Sequence, residues 1–205
     1  PIPDLRKANL PISITFTTHA TILGRYLAMN DPEFYNHLPF FDWLQEAKNF
    51  NIESQVRIER AAAHGSHVFT TVSEVTAMEC QYLLGREPDI VTPNGINIER
   101  FKASYEKTEI RQKLGLPLGK KILLTVSRLV ENKGHETVLR AISSLNAQQR
   151  SKLLYVVIGK GYMLEQLKTL TKQLKIIDQV KYVGFKDDDL PLWYQASDLF
   201  VLTST

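Results

Sequence analysis

The chain has 205 residues, 43% of them hydrophobic, and a net charge of +3. That is room for one large domain or two small ones, and the small excess of base does not by itself argue for a nucleic-acid partner but leaves room for a local basic pocket that binds a small anion. Its one cysteine, Cys80, excludes an intramolecular disulfide framework and a cysteine-based zinc site, and fits a reducing, cytoplasmic compartment.

No apolar run approaches the ~20 residues of a membrane span. The start, Pro1-Ile2-Pro3-Asp4, has neither the charged nor the apolar region of a signal peptide. It lacks an initiating methionine, and core-like sequence begins by residue 12, so the chain reads as part of something longer.

Ile12 to Phe16 is short and β-rich, which predicts a strand. Thr21–Met29 and Glu53–Gly65 read as helices, Val68–Val72 as a strand, Glu74–Leu84 as a helix and Asp89–Val91 as a short strand. Trp43 and Tyr35 fall in a helical connection and are read as packing residues. Cys80, inside a helical run, reads as a small buried residue rather than a nucleophile. Strand–helix–strand units with short links imply a parallel sheet. Thr92-Pro93-Asn94-Gly95 is turn chemistry. The polar stretch Lys102–Thr108 has no apolar period, and a domain boundary is placed there, dividing residues 1–103 from 104–205.

The second half alternates more cleanly. Lys121–Val126 is almost continuously apolar, as expected of a strand buried on both faces. Gly134–Leu145 follows as a helix, Leu153–Ile158 as a strand, Met163–Leu174 as a helix and Val180–Val183 as a strand. Leu190–Ala196 is a short helix and Leu199–Leu202 a last strand. In open α/β sheets, ligands sit beyond the carboxyl ends of the strands.

One loop stands at such an end. Ser127-Arg128-Leu129-Val130-Glu131-Asn132-Lys133-Gly134 joins a strand to a helix and carries two cations. Arginine grips two phosphate oxygens at once, lysine acts as a mobile point charge, and a helix N-terminus adds free N–H groups. On spacing alone the loop reads equally as a diphosphate site or a solvated basic loop.

Thr125-Val126-Ser127-Arg128-Leu129 with Lys133-Gly134-His135 resembles the phosphate clamp of GT-B glycosyltransferases. Val157-Ile158-Gly159-Lys160-Gly161, Val183-Gly184-Phe185, Asp189-Leu190-Pro191-Leu192-Trp193-Tyr194 and Asp198-Leu199-Phe200-Val201-Leu202 continue the resemblance in order over residues 109–205. The first half is similar to animal and fungal glycogen synthases, on Phe16 to Tyr26, Ile58 to His64, Phe69 to Ser73 and Asp89 to Asn97. The resemblance implies an α/β fold of two Rossmann-like lobes facing a cleft, the first incomplete and the second truncated. It implies transfer of a glucosyl unit, with retention, from a nucleotide-diphosphate sugar (UDP-glucose ahead of ADP-glucose) to an α-glucan. Arg128 and Lys133 would hold the diphosphate, Phe185 would border the base, and His19, Arg25 and Asn94 would lie near the transferred sugar. Gly159 and Gly161 read either as letting backbone approach the donor or as merely turning the chain. No cofactor, metal, nucleic acid or membrane is implied, and homo-oligomerisation is left open. The catalytic glutamates that the family places after the last strand would lie beyond this chain. Rival readings are another GT-B enzyme, of sucrose-synthase or cell-surface-glycan type, and a non-catalytic nucleotide-binding relative.

Other chemistry-bearing residues read as structural. His64 and His67 are three apart with no third ligand in view. Asp187-Asp188-Asp189 is expected to cap the helix from Leu190. Glu59 and Arg60 read as an ion pair or a cap partner.

Overall fold

The computed structural model describes residues 2–8, 11–102 and 106–204. They group into two compact units, Pro1–Ile96 and Asn97–Thr205. The boundary expected at residues 103/104 itself lies outside the described residues. The stretch before it is tied to the second unit, where Arg100 pairs with Asp187 at 2.6 Å and the Phe101 ring meets Tyr194 edge-on.

The first unit runs α1 (Ile2–Lys7), β1 (Thr15–Thr18), α2 (Ile22–Asn30), α3 (Phe34–His37), α4 (Trp43–Asn49), α5 (Glu53–Gly65), β2 (Val68–Thr71), α6 (Glu74–Glu79) and β3 (Ile90–Val91). The strands form a parallel sheet in the order β1-β2-β3. Strand β1 begins later than the sequence predicts because its partner starts at Val68. The Ile14 carbonyl takes the N–H groups of His67 and Val68, and ladder pairing opens at Thr15. The helix expected over residues 74–84 is regular only to Glu79 and then widens into a π turn, Cys80–Leu84, which turns Cys80, Leu83 and Leu84 all inward. Burial, with the negative charges of Glu59 and Glu79, pushes the Cys80 thiol up to about 12 and leaves it unreactive.

The second unit opens with α7 (Ile98–Phe101) and α8 (Lys107–Lys113), the latter beginning inside the polar stretch Lys102–Thr108. The chain continues β4 (Lys121–Val126), α9 (His135–Ser144), α10 (Ala147–Ser151), β5 (Leu153–Ile158), α11 (Leu164–Gln173), β6 (Val180–Gly184), α12 (Leu190–Ala196) and β7 (Leu199–Phe200). All four strands are parallel, in the order β6-β5-β4-β7. Strand β5 is buried along its whole length, and its side chains sort by the two-residue period of a pleated strand. Leu153, Tyr155 and Val157 enter a core with Leu139 and Ile142 of α9 and Leu167 of α11. Leu154, Val156 and Ile158 enter the opposite core with Ile110 of α8 and Trp193 of α12. Strand β7 ends sooner than expected, although the Val201 N–H still reaches the Leu124 carbonyl and the Thr125 hydroxyl donates to the Val201 carbonyl.

One carboxylate organises the start of this sheet. Asp198 accepts the Ile122 N–H at 2.7 Å and the buried Arg111 guanidinium at 2.6 Å, with Lys107 at 3.3 Å. Burial opposes its ionisation, but these donors outweigh it and hold the carboxyl down from 3.8 to about 2. A lowered folded pKa means stability that is complete above the unfolded value and is lost as pH falls through the folded one. Asp198→Asn is expected to cost about 3 kcal/mol in urea denaturation, because Arg111 loses its partner while buried. The wild-type advantage over this variant should be complete above pH ~4 and shrink toward pH ~2. An advantage unchanged at low pH would contradict this assignment.

Candidate functional site

The carboxyl ends of β4, β5 and β6 open into a cleft of about 250 Å³. Val126, Ser127 and Arg128 line it from β4, Ile158, Gly159 and Lys160 from β5, and Phe185, Lys186 and Leu190 from the chain after β6. Parallel pairing brings these loops together, since it sets all the strand ends on one edge.

Backbone bonds lace the loops tightly. The Ser127 N–H reaches the Ile158 carbonyl, the Leu129 N–H the Lys160 carbonyl, the Met163 N–H the Leu129 carbonyl and the Gly159 N–H the Gly184 carbonyl. Gly159 has φ +147°, and a Cβ there would run into the Ser127 carbonyl oxygen. Gly161 is likewise closed off by the Leu129 carbonyl and does not line the cleft. The two glycines therefore serve the approach of one loop to another.

Three cations border the cleft. Arg128 is exposed and, among the described residues, its guanidinium has no hydrogen-bond partner. Lys160 stands 5.2 Å over the Phe185 ring, and Lys186 pairs with Asp189 at 3.3 Å. Phe185 is 64% exposed, an apolar ring left open to solvent at the cleft mouth. Lys133 is elsewhere: it closes the short 3-10 turn Glu131–Lys133, does not line the cleft, and its Nζ is 3.5 Å from Ser204 Oγ. The helix that follows starts at Gly134, whose φ of +65° and close approach to Thr203 admit no side chain. Lys160 sat unremarked between the two glycines singled out in the sequence, and Lys186 just past Phe185. Their signal is position, each two residues beyond a strand end.

The expected cap of α12 is corrected. Asp189 holds the N-cap position but makes no side-chain bond to the helix N–H groups; its carboxylate accepts instead from Trp193 Nε1 at 3.2 Å.

In the first unit His19 is exposed after β1 and lines a cleft of about 410 Å³ with Phe16, Thr17, Thr18, Ile22, Gln55, Ile58, Glu59 and Ala62. Arg25 and Asn94, both exposed, do not line it. Glu59, which shares this cleft, and Glu79 are buried carboxylates. Glu59 accepts the Ile22 N–H at 3.0 Å and the Thr18 hydroxyl, so it caps α2 from a distant helix. Burial raises its pKa, and the two hydrogen bonds and the nearby Arg25 oppose that shift. Glu79 accepts from Thr21 Oγ1 at 2.7 Å and from Tyr35. Arg60 does not pair with Glu59; it stacks 3.9 Å over the Trp43 ring and donates to the Leu83 carbonyl. His64 Nε2 bonds to the Leu84 carbonyl, and His67 Nδ1 accepts the Ile14 N–H.

Two units, each with a parallel sheet, and in the second a basic cleft at the strand ends, place the chain in the α/β class whose ligands sit beyond the carboxyl ends of the strands. The model of the family "Glycosyl transferases group 1" matches residues 106–205. Among solved structures, Anabaena Alr3699/HepE in complex with UDP and glucose is similar over 94% of this chain and 46% of its own, with a TM-score of 0.66 and 19% identity. Sucrose-phosphate synthase from Thermosynechococcus elongatus is similar over 98% of this chain and 46% of its own, with a TM-score of 0.68 and 20% identity. These likenesses establish the fold.

The model "Glycogen synthase" matches residues 2–115, and the chain belongs to the glycogen synthase family. Human liver glycogen [starch] synthase is 42% identical over 159 residues, covering 69% of this chain and 23% of that protein. Glycogen [starch] synthase isoform 1 of Saccharomyces cerevisiae is 51% identical over 106 residues, covering 51% of this chain and 15% of that protein. The chain thus spans less than a quarter of the length of these relatives.

Gly159→Ala tests the packing of the cleft. Strained backbone and the clash with Ser127 are expected to cost about 2–4 kcal/mol in chemical denaturation. A loss below about 0.5 kcal/mol, the range of neutral surface changes, would mean that the two loops separate freely.

Proposed function

We propose that the protein of which this chain is part transfers a glucosyl unit from a nucleotide-diphosphate sugar, UDP-glucose by preference, to an α-glucan, with retention at the anomeric carbon. The observation that carries the reading is the cleft at the ends of β4, β5 and β6, where Arg128, Lys160 and Lys186 converge beside an exposed aromatic ring. The 42–51% identity to proteins named glycogen synthase supports the glucosyl donor and glucan acceptor.

Breaking the bond between sugar and diphosphate leaves negative charge on the departing phosphate oxygens. A cation that meets this charge stabilises the transition state more than the ground state, which is what lowers the barrier. Arg128 has its full set of N–H donors for that task. Lys133, on a flexible stem one turn away, swings from Ser204 toward the same phosphates. Phe185 offers a flat apolar face to the base, and His19, on the first unit, donates or accepts a hydrogen bond at a sugar hydroxyl, with Arg25 and Asn94 in the same role.

Titration of the protein with UDP by calorimetry tests the clamp. Arg128→Ala and Lys133→Ala are each expected to weaken binding by about 1.5–3 kcal/mol, the scale of a hydrogen bond to a charged group. UDP affinity indifferent to both substitutions would sink the clamp.

A further inference from the structure

Helix α9 opens with a histidine that the proposed chemistry leaves unused. His135 is 2% exposed, and its Nε2 lies 3.0 Å from Ser127 Oγ and 3.2 Å from the Arg128 carbonyl oxygen. Its Nδ1 is buried with no hydrogen-bond partner among the described residues. A carbonyl oxygen only accepts, so the Arg128 contact needs a proton on Nε2. A proton on Nδ1 would be a buried donor with nothing to bond, which costs more than leaving a lone pair idle. Both ends of the ring therefore demand the neutral form with its hydrogen on Nε2. Burial lowers the pKa of His135, in keeping with that state.

We propose that His135 is a positioning residue, a neutral Nε2–H latch that holds the Arg128 carbonyl and the Ser127 hydroxyl and so aims the Arg128 guanidinium into the cleft. The inference rests on the diphosphate reading of that cleft. The loop has few other ties at this point. Ser127 N–H and Leu129 N–H are bonded to the neighbouring loop, but the Arg128 carbonyl between them is held only by the imidazole and the Ser127 hydroxyl among the described residues. The Arg128 side chain leaves from the Cα next to the carbonyl that His135 grips, so losing the latch frees the guanidinium without removing its charge.

Two variants separate the donor from the bulk. His135→Phe keeps a ring of similar size and has no N–H; His135→Gln puts an amide N–H near the place of Nε2. UDP affinity is expected to fall about tenfold in the first and to stay within about threefold of wild type in the second, the worth of one buried hydrogen bond. Arg128→Ala is measured beside them. If it weakens UDP binding while His135→Phe binds as wild type, or if Gln is no better than Phe, the latch is overturned and the clamp stands. If UDP affinity ignores Arg128→Ala, the diphosphate reading fails, and the latch is then judged on the wild-type protein by NMR of the imidazole nitrogens. Protonation at Nε2 alone at neutral pH supports it; an Nδ1–H tautomer or an imidazolium overturns it. The same spectrum decides should His135→Phe fail to fold.

Discussion

Burial of β5 on both faces constrains everything else in the second unit. A strand covered on either side by helices presents its backbone to a ligand only at its ends. Because every strand runs the same way, the loops after β4, β5 and β6 must share one edge, and their chains must approach one another closely. That closeness is why Gly159 and Gly161 tolerate no side chain and why the loop carrying Arg128 is stitched by backbone bonds to the loop carrying Lys160. The cleft is thus a by-product of sheet burial, and its charge is what the sequence adds.

The first unit solves a different problem. Its short sheet leaves helix starts to be satisfied from afar, and Glu59 on α5 supplies the N-terminus of α2 while Glu79 fixes Thr21 at the same corner. Gly24 leaves no space for a side chain there, since a Cβ would press on Thr21 and the Glu79 carboxylate. Two carboxylates held this close would repel, and their neighbouring hydroxyls and N–H groups offset that repulsion. The loop that carries His19 rests on this corner.

Legibility in the sequence followed the range of the interactions. Strands β4 and β5 and helix α5 were readable to the residue, because continuous apolar runs and an uninterrupted helical period are local signals. The carboxyl-edge rule picked out the loop that carries Arg128, and the family resemblance added Gly159 and Phe185. What stayed hidden was set at long range. The start of β1 depends on where β2 begins, the π turn at Cys80–Leu84 depends on which cores need filling, and the capping by Glu59 joins residues 37 apart. Helix α8 gives no helical signal in the sequence because its buried face amounts to Ile110 and the guanidinium of Arg111, too little for a period to register. Lys133 was legible as charge but not as geometry, since its side chain meets Ser204, a residue 71 positions away.

The two tryptophans of the sequence fall one to each unit. Trp43 is half-buried in the first, with the Arg60 guanidinium stacked on its face and Arg57 beyond. Trp193 is 5% exposed in the second, its indole N–H tied to Asp189. An indole in a dry pocket emits at shorter wavelength than one in water, and a stacked cation alters its intensity, so the two rings carry separable optical signatures. Replacing either by phenylalanine leaves a single emitter, and the folding of each unit can be watched in the intact chain by the light of its own residue.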